Sequence, residues 1–397
     1  SNSMTVRVSK PEFNLREKLS ELDKPVGLKG SELLKSETAQ DVRNLVSAGR
    51  KNIIINGDFR IAQRGTTHNS SGYRTVDRFK MNASGANTTL TQSQHALSSS
   101  DAPYSHGFRY SYHLNNAGQN ANSQGYVIFQ HNIEAQDMAQ SGWNYTSDKD
   151  HITISFWVKS SITHTFLFTL YTADGTPQDY NILFPVQADK WKKIIMTVPG
   201  NPDITFDSNN DYGLQLMFNP YMGSHYTSGS TVKRWQDHAG YTSRPDMDDK
   251  WWKTASTFEI TGVQLEVGPN ATEFEHRSRS EELALCQRYY NRVFDAEGQS
   301  GEKPASLAVY ENNSTICTTF NFPKMRTIPT LDITNGTNKF MVRSNNVSDH
   351  FNTLTMRYGT TTTAELFQGT NVSGTSGYGG YLRGADTDVY IAFDAEL

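Results

Sequence analysis

Cysteine is almost missing from this chain. Two occur among 397 residues, Cys286 and Cys317, so no disulfide framework can form; a reducing folding compartment and two buried, unbridged thiols are expected. No apolar run is long enough to span a bilayer, and the polar, charged first residues carry no signal-peptide pattern. No membrane insertion is expected, and synthesis belongs in a cytoplasm. A dominant sign of charge is lacking too: 37 basic residues face 41 acidic ones, a net charge of −4. That balance argues against nucleic acid or an anionic membrane as partner.

Catalytic signatures are equally scarce. The eleven histidines are scattered, with no HExxH pattern and no zinc-ligand spacing. There is no GxSxG elbow, no phosphate loop and no dinucleotide fingerprint. The expectation is no enzyme, no metal and no cofactor. The acid pairs Asp246 with Asp248 and Asp386 with Asp388 are ones a glycosidase could use across a cleft, but their turn contexts place them in solvent.

What is present is β-strand pattern. Residues 5–51 differ from the rest, being rich in Lys, Glu and Leu and carrying two short helical faces, Leu15, Leu19, Leu22 and Val42, Leu45, Val46. From Asn52 the period becomes two, with segments at 53–55, 126–129, 152–158, 166–170, 194–198 and 214–218, then 307–310, 315–321, 330–333, 339–342 and 389–393. The fold class is mainly β: a jelly-roll β-sandwich followed by a smaller C-terminal β domain, with a short helical N-terminal segment and a helix between the β domains. The boundaries fall at 1–51, 52–277, 278–303 and 304–397.

The stretch from Phe258 to Tyr290 organises these parts. Phe258 and Ile260 share one face of a strand, whereas Val263, Leu265 and Val267 have the opposite parity, so a β-bulge is expected at Gly262. Ser278 and Glu281 form a capping box ahead of a helix from about Ser280 to Arg292, with Leu285, Cys286, Tyr289, Tyr290 and Val293 on its apolar face. Trp157 has parity opposite to Ile154 and Phe156 and faces away from them.

Three strings carry a resemblance. TGVQLEVG (261–268) with ATEFE (271–275) and ELALCQRYY (282–290), NIIINGDFRIAQRG (52–65) with Tyr73 and Asp77-Arg-Phe79, and FPKMRTIPT (322–330) resemble segments of bacteriophage tail-fibre and virion attachment proteins. NGDF (56–59), ITISFWVK (152–159) and WKKIIMT (191–197) look like pieces of a carbohydrate-binding jelly roll. The resemblance implies a virion location and other virion proteins as partners of residues 1–51. It also implies assembly as a homotrimer, and a structural calcium for which Asp58 or Asp77 would be ligands.

Loop aromatics suit sugars, because an apolar ring stacks on a pyranose C–H face while polar neighbours meet its hydroxyls. The candidates are Trp235, Tyr241, Trp251 and Trp252 in the 219–252 loop, and Tyr378, Tyr381 and Arg383 in a Gly- and Thr-rich run. The counter-reading is that loop tryptophans pin the loop to the sandwich. Three functions compete: a virion protein that binds a host-surface glycan or receptor, a glycan depolymerase, and a decoration or assembly protein whose aromatics lie between subunits.

Overall fold

Ile152, Ile154, Phe156 and Val158 alternate along one strand, and all four are fully buried. That alternation repeats across two sheets facing each other. The computed structural model describes residues 52–397 apart from 228, 230, 231 and 241–243; the helical expectation for 1–51 and the candidate Tyr241 lie outside the described residues. The described chain from Asn52 onward forms one compact unit.

The first domain contains β1 (Thr67–His68), β2 (Phe79–Ser84), β3 (Leu90–Ala96), β4 (Tyr110–Asn116), β5 (Tyr126–Glu134), β6 (His151–Ser160), β7 (His164–Thr172), β8 (Gln178–Val186), β9 (Lys192–Pro199), β10 (Tyr212–Met222), β11 (Trp235–Asp237) and β12 (Ser256–Val267). One sheet runs β1-β3-β4-β12-β6-β9, the other β11-β8-β7-β10-β5-β2. Every ladder is antiparallel, giving a jelly-roll sandwich. Rings from both sheets fill the space between them: Tyr112 stacks on Phe129 at 3.7 Å, and Phe156 meets Phe218 edge-on at 5.0 Å. The expected strand at 53–55 is absent, since Ile53 makes one backbone bond to Leu265 O at 2.9 Å and the chain then turns.

The bulge is where its parity places it. The β12–β6 register shifts between Thr261 and Gln264, and Gly262 has φ of 65°. Any Cβ there would lie 2.6 Å from the Phe108 ring, so glycine serves both the left-handed backbone and the close approach. Phe258, Ile260, Val263 and Leu265 consequently all reach the same core.

The second domain contains β13 (Tyr290–Asp295), β14 (Lys303–Asn312), β15 (Thr315–Asn321), β16 (Thr330–Ile333), β17 (Phe340–Ser344), β18 (Val347–Phe351), β19 (Thr355–Gly359), β20 (Thr363–Gln368), β21 (Gly379–Gly384) and β22 (Tyr390–Asp394). A three-stranded sheet, β13-β22-β16, and a seven-stranded sheet, β18-β17-β21-β14-β15-β20-β19, enclose a separate core including Phe340, Leu366, Leu382 and Phe393.

The connecting helix spans Arg279–Gln287, with Ser278 Oγ accepting the Glu281 amide at 3.2 Å. It stops five residues short of the expected Arg292, because Tyr290 to Asp295 pair with β22 and their backbone groups are taken by that ladder. Cys286 and Glu282 are buried, while Leu285 is only half-buried. The two longest strings of the resemblance meet here. The Asn56 amide donates to Glu282 Oε1 at 2.6 Å, the Asn52 amide to Glu275 at 2.7 Å, and the Val263 amide to Gly57 O at 2.8 Å. They form a clasp that closes the sandwich.

Candidate functional site

A buried ionic seam fixes the two β domains against each other. Arg78, 1% exposed, pairs with Glu396, donates to Asn132 O at 2.7 Å and lies 3.4 Å from the Tyr289 ring centroid. Arg64 sits 3.6 Å from the Tyr290 centroid and reaches Asp394 at 2.9 Å. Glu134, fully buried, accepts from Arg288 at 2.7 and 2.8 Å and from Tyr289 Oη at 2.5 Å, which hold its carboxyl below the usual range despite burial.

Beside this seam, burial pushes Asp77 up to about 6, opposed by Arg64 and by two donations from Gln63. A carboxyl raised in the fold stabilises below its unfolded value of 3.8, and that contribution is lost as pH rises through about 6. We therefore expect wild type to lose stability relative to Asp77→Asn between pH 4 and 6.5, read from urea midpoints at each pH. Parallel profiles for the two proteins would contradict this.

The seam holds the seven-stranded sheet with one face outward. On β14, Ala308 and Tyr310 turn inward and are buried, whereas Leu307 and Val309 are 70% and 49% exposed. The registers Arg343↔Tyr381↔Leu307 set these side chains in a row across β17, β21 and β14, because directly opposed residues of an antiparallel pair share a face. Tyr381 is 56% exposed, and Tyr378, just before β21, is 49% exposed. A sheet with one buried face ordinarily turns polar side chains to water; this one presents aliphatic and tyrosine side chains, the composition of a contact surface. Arg383 lies on the same strand, but its guanidinium pairs with Glu302 and sits 5.7 Å from the Tyr381 ring.

The tryptophan candidates go elsewhere. Trp251 and Trp252 are fully buried on a single helical turn, Lys250–Lys253; Trp251 Nε1 donates to Thr257 O at 3.1 Å, Trp252 Nε1 to Asn120 O at 2.6 Å, and the Trp252 ring stacks on Tyr221 at 4.7 Å. They are core residues, and their assignment to a ligand is corrected: each indole N–H already has a backbone acceptor and neither ring reaches solvent. Trp235 is half-buried, donates to Pro199 O at 2.7 Å and meets Tyr180 edge-on at 5.2 Å. It pins the loop to β8, apart from the Tyr381 face. Leu307 and Val309 escaped the sequence reading, although the apolar run 307–310 occupies both parities of a strand and so signals two apolar faces.

All four residues of the two acid pairs are exposed. Asp386 and Asp388 both accept from Lys339 Nζ at 2.7 Å, and Asp248 lies 3.2 Å from His164 Nδ1. Asp58 is engaged by Arg60, and among the described residues no group of three or more His, Cys, Asp or Glu is arranged to hold a metal ion.

These features define a mainly β protein built of a jelly-roll sandwich and a second β domain. Neither a known protein family nor a curated protein matches the chain. Among solved structures, 54% of it overlays 21% of the chain of the enzymatically active domain of bacteriophage CBA120 tailspike protein 4, at 12% identity and a TM-score of 0.29. It therefore spans about a fifth of that chain. The CBM22-1 xylan-binding domain from Paenibacillus barcinonensis Xyn10C overlays along its whole length at 11% identity and a TM-score of 0.27, and a cyclase from Fischerella along 98% at 9% and 0.32.

Proposed function

We propose that this chain is a non-enzymatic structural protein of a bacteriophage virion, a tail fibre or similar appendage. Residues 1–51 fix it to the particle as part of a homotrimer, and its β domains contact a glycan or receptor on the host surface. The single observation that supports a contact role is the outward face of Leu307, Val309 and Tyr381, with exposed Tyr378 just before β21, on a sheet whose other face is packed on a core. Exposed tyrosine beside aliphatic surface is the chemistry of recognition hot spots.

The test is adsorption of particles carrying Tyr378→Ala with Tyr381→Ala. Adsorption should fall at least about tenfold, with the melting temperature unchanged because both rings are outside the core. Particles made with a chain lacking residues 5–48 should be missing the protein altogether. Unchanged adsorption by the double variant would reject the surface. A trimer that dissociates in that variant would instead assign the same row to contacts between copies, the decoration or assembly reading that the strong exposure of Leu307 favours.

A further inference from the structure

The outer face of the first sheet carries a feature that the C-terminal surface does not account for. Trp157 and Lys193 are direct partners on β6 and β9, so both side chains leave the same face. Two segments rise beside them, 105–108 and 272–276, and enclose a cleft of about 230 Å³. Aromatic rings form one part of its wall, where Phe108 meets Phe274 at 4.9 Å and His276 at 5.2 Å and the His106 ring lies 5.2 Å from Trp157; Thr272 and the acidic Glu273 line it as well. The wall is held in place, since Phe108 packs on the Gly262 bulge and His276 Nε2 bonds to His106 O at 2.9 Å. Among the described residues no carboxylate pairs with the Lys193 ammonium, whereas Lys159, the next outward lysine along β6, is tied to Glu259 and Asp101 at 3.1 and 3.2 Å.

We propose that this cleft is a saccharide site for one sugar residue bearing a carboxylate, such as a uronic acid at the end of a glycan. The volume is below the roughly 300 Å³ at which pockets for drug-sized ligands begin, which suits a single ring and not a run of sugars. The half-buried indole of Trp157 offers an apolar face to the C–H side of that ring. The Lys193 ammonium, opposite Trp157 and without a carboxylate partner among the described residues, meets the carboxylate in a charge-assisted hydrogen bond. Neutral sugars keep the stacking contact and lose the ion pair. The site is independent of the Tyr381 face.

Calorimetric titration of the full chain with D-glucuronic acid and with D-glucose tests it. Saturable binding of glucuronic acid in the millimolar range that about a dozen ligand atoms support is expected, with glucose about tenfold weaker. Lys193→Gln should bring the two sugars to equal affinity, and Trp157→Ala should weaken both about tenfold or more. Tyr378→Ala with Tyr381→Ala should leave both titrations unchanged. Should Trp157→Ala melt early, Trp157→Phe serves in its place and should weaken both sugars while keeping the preference for the acid. Absence of saturable binding, equal affinity of wild type for the two sugars, or undiminished binding by the folded Trp157 variants would overturn the assignment.

Discussion

Arg78→Ala is expected to cost about 3–5 kcal/mol of folding stability. The guanidinium is buried between the two β domains and serves three partners at once: the Glu396 carboxylate, the Asn132 carbonyl and the Tyr289 ring. Removing it leaves Glu396 as a buried carboxylate whose remaining ion pair among the described residues is with Arg64, at 3.4 Å, with Lys80 farther off. An orphaned charge in such a place costs far more than the pair contributed while intact. Arg78→Lys should recover only part of the loss, since an ammonium is a point charge without the planar fork that bonds Glu396 and Asn132 together. Urea unfolding of both variants checks this. A loss under about 1 kcal/mol for the alanine variant, in the range of exposed ion pairs, would mean that water reaches the seam.

Trp252→Ala should be comparably severe, about 3–5 kcal/mol, as for other buried aromatic truncations. The indole is fully buried, stacked on Tyr221, and packed so closely under Gly125 that a Cβ there would meet it at 2.7 Å. Truncation opens a cavity and leaves Asn120 O without its donor. Thermal melting, followed by saccharide titration of the variant, separates the two assignments this residue has received. A core role predicts a much lower melting temperature, whereas a ligand role predicts intact stability and lost binding.

The contrast between Trp252 and Trp157 explains what sequence could and could not yield. Strands such as 152–158 were legible because the inward residues Ile152, Ile154, Phe156 and Val158 recur with period two, and Gly262 because a parity change is itself a local signal. The strand β3, LTQSQHA, was not legible, since its inward Gln92 is a fully buried polar residue held by side-chain partners such as Thr75. Likewise β20 and β21 are short and stabilised by pairing with β15 and β14, strands far away in sequence, while β18 and β19 are short edge strands that pair with their immediate neighbours β17 and β20. The helix after Ser278 began as its cap dictates, but its end was set by the pairing of Tyr290 with Asp394, which no local pattern announces. For the candidate sites, residue type identified aromatics, while burial, a tertiary quantity, decided which remained at the surface. Trp157 was placed on the outer face by its parity, but the walls around it come from residues 105–108 and 272–276, which only the fold brings together.

The clasp between Asn56 and Glu282 spans 226 residues, and this has a kinetic consequence. Until the second half of the clasp has been synthesised, the amides of Asn52, Ile53 and Asn56 lack the acceptors they have in the fold and the sandwich cannot close. Closure entropy for so long a loop must be met before its contacts return anything, a circumstance that slows β topologies dominated by distant pairings. Sheet edges and the future core stay open during that interval, so a nascent chain is exposed to aggregation and to pairing with its neighbours.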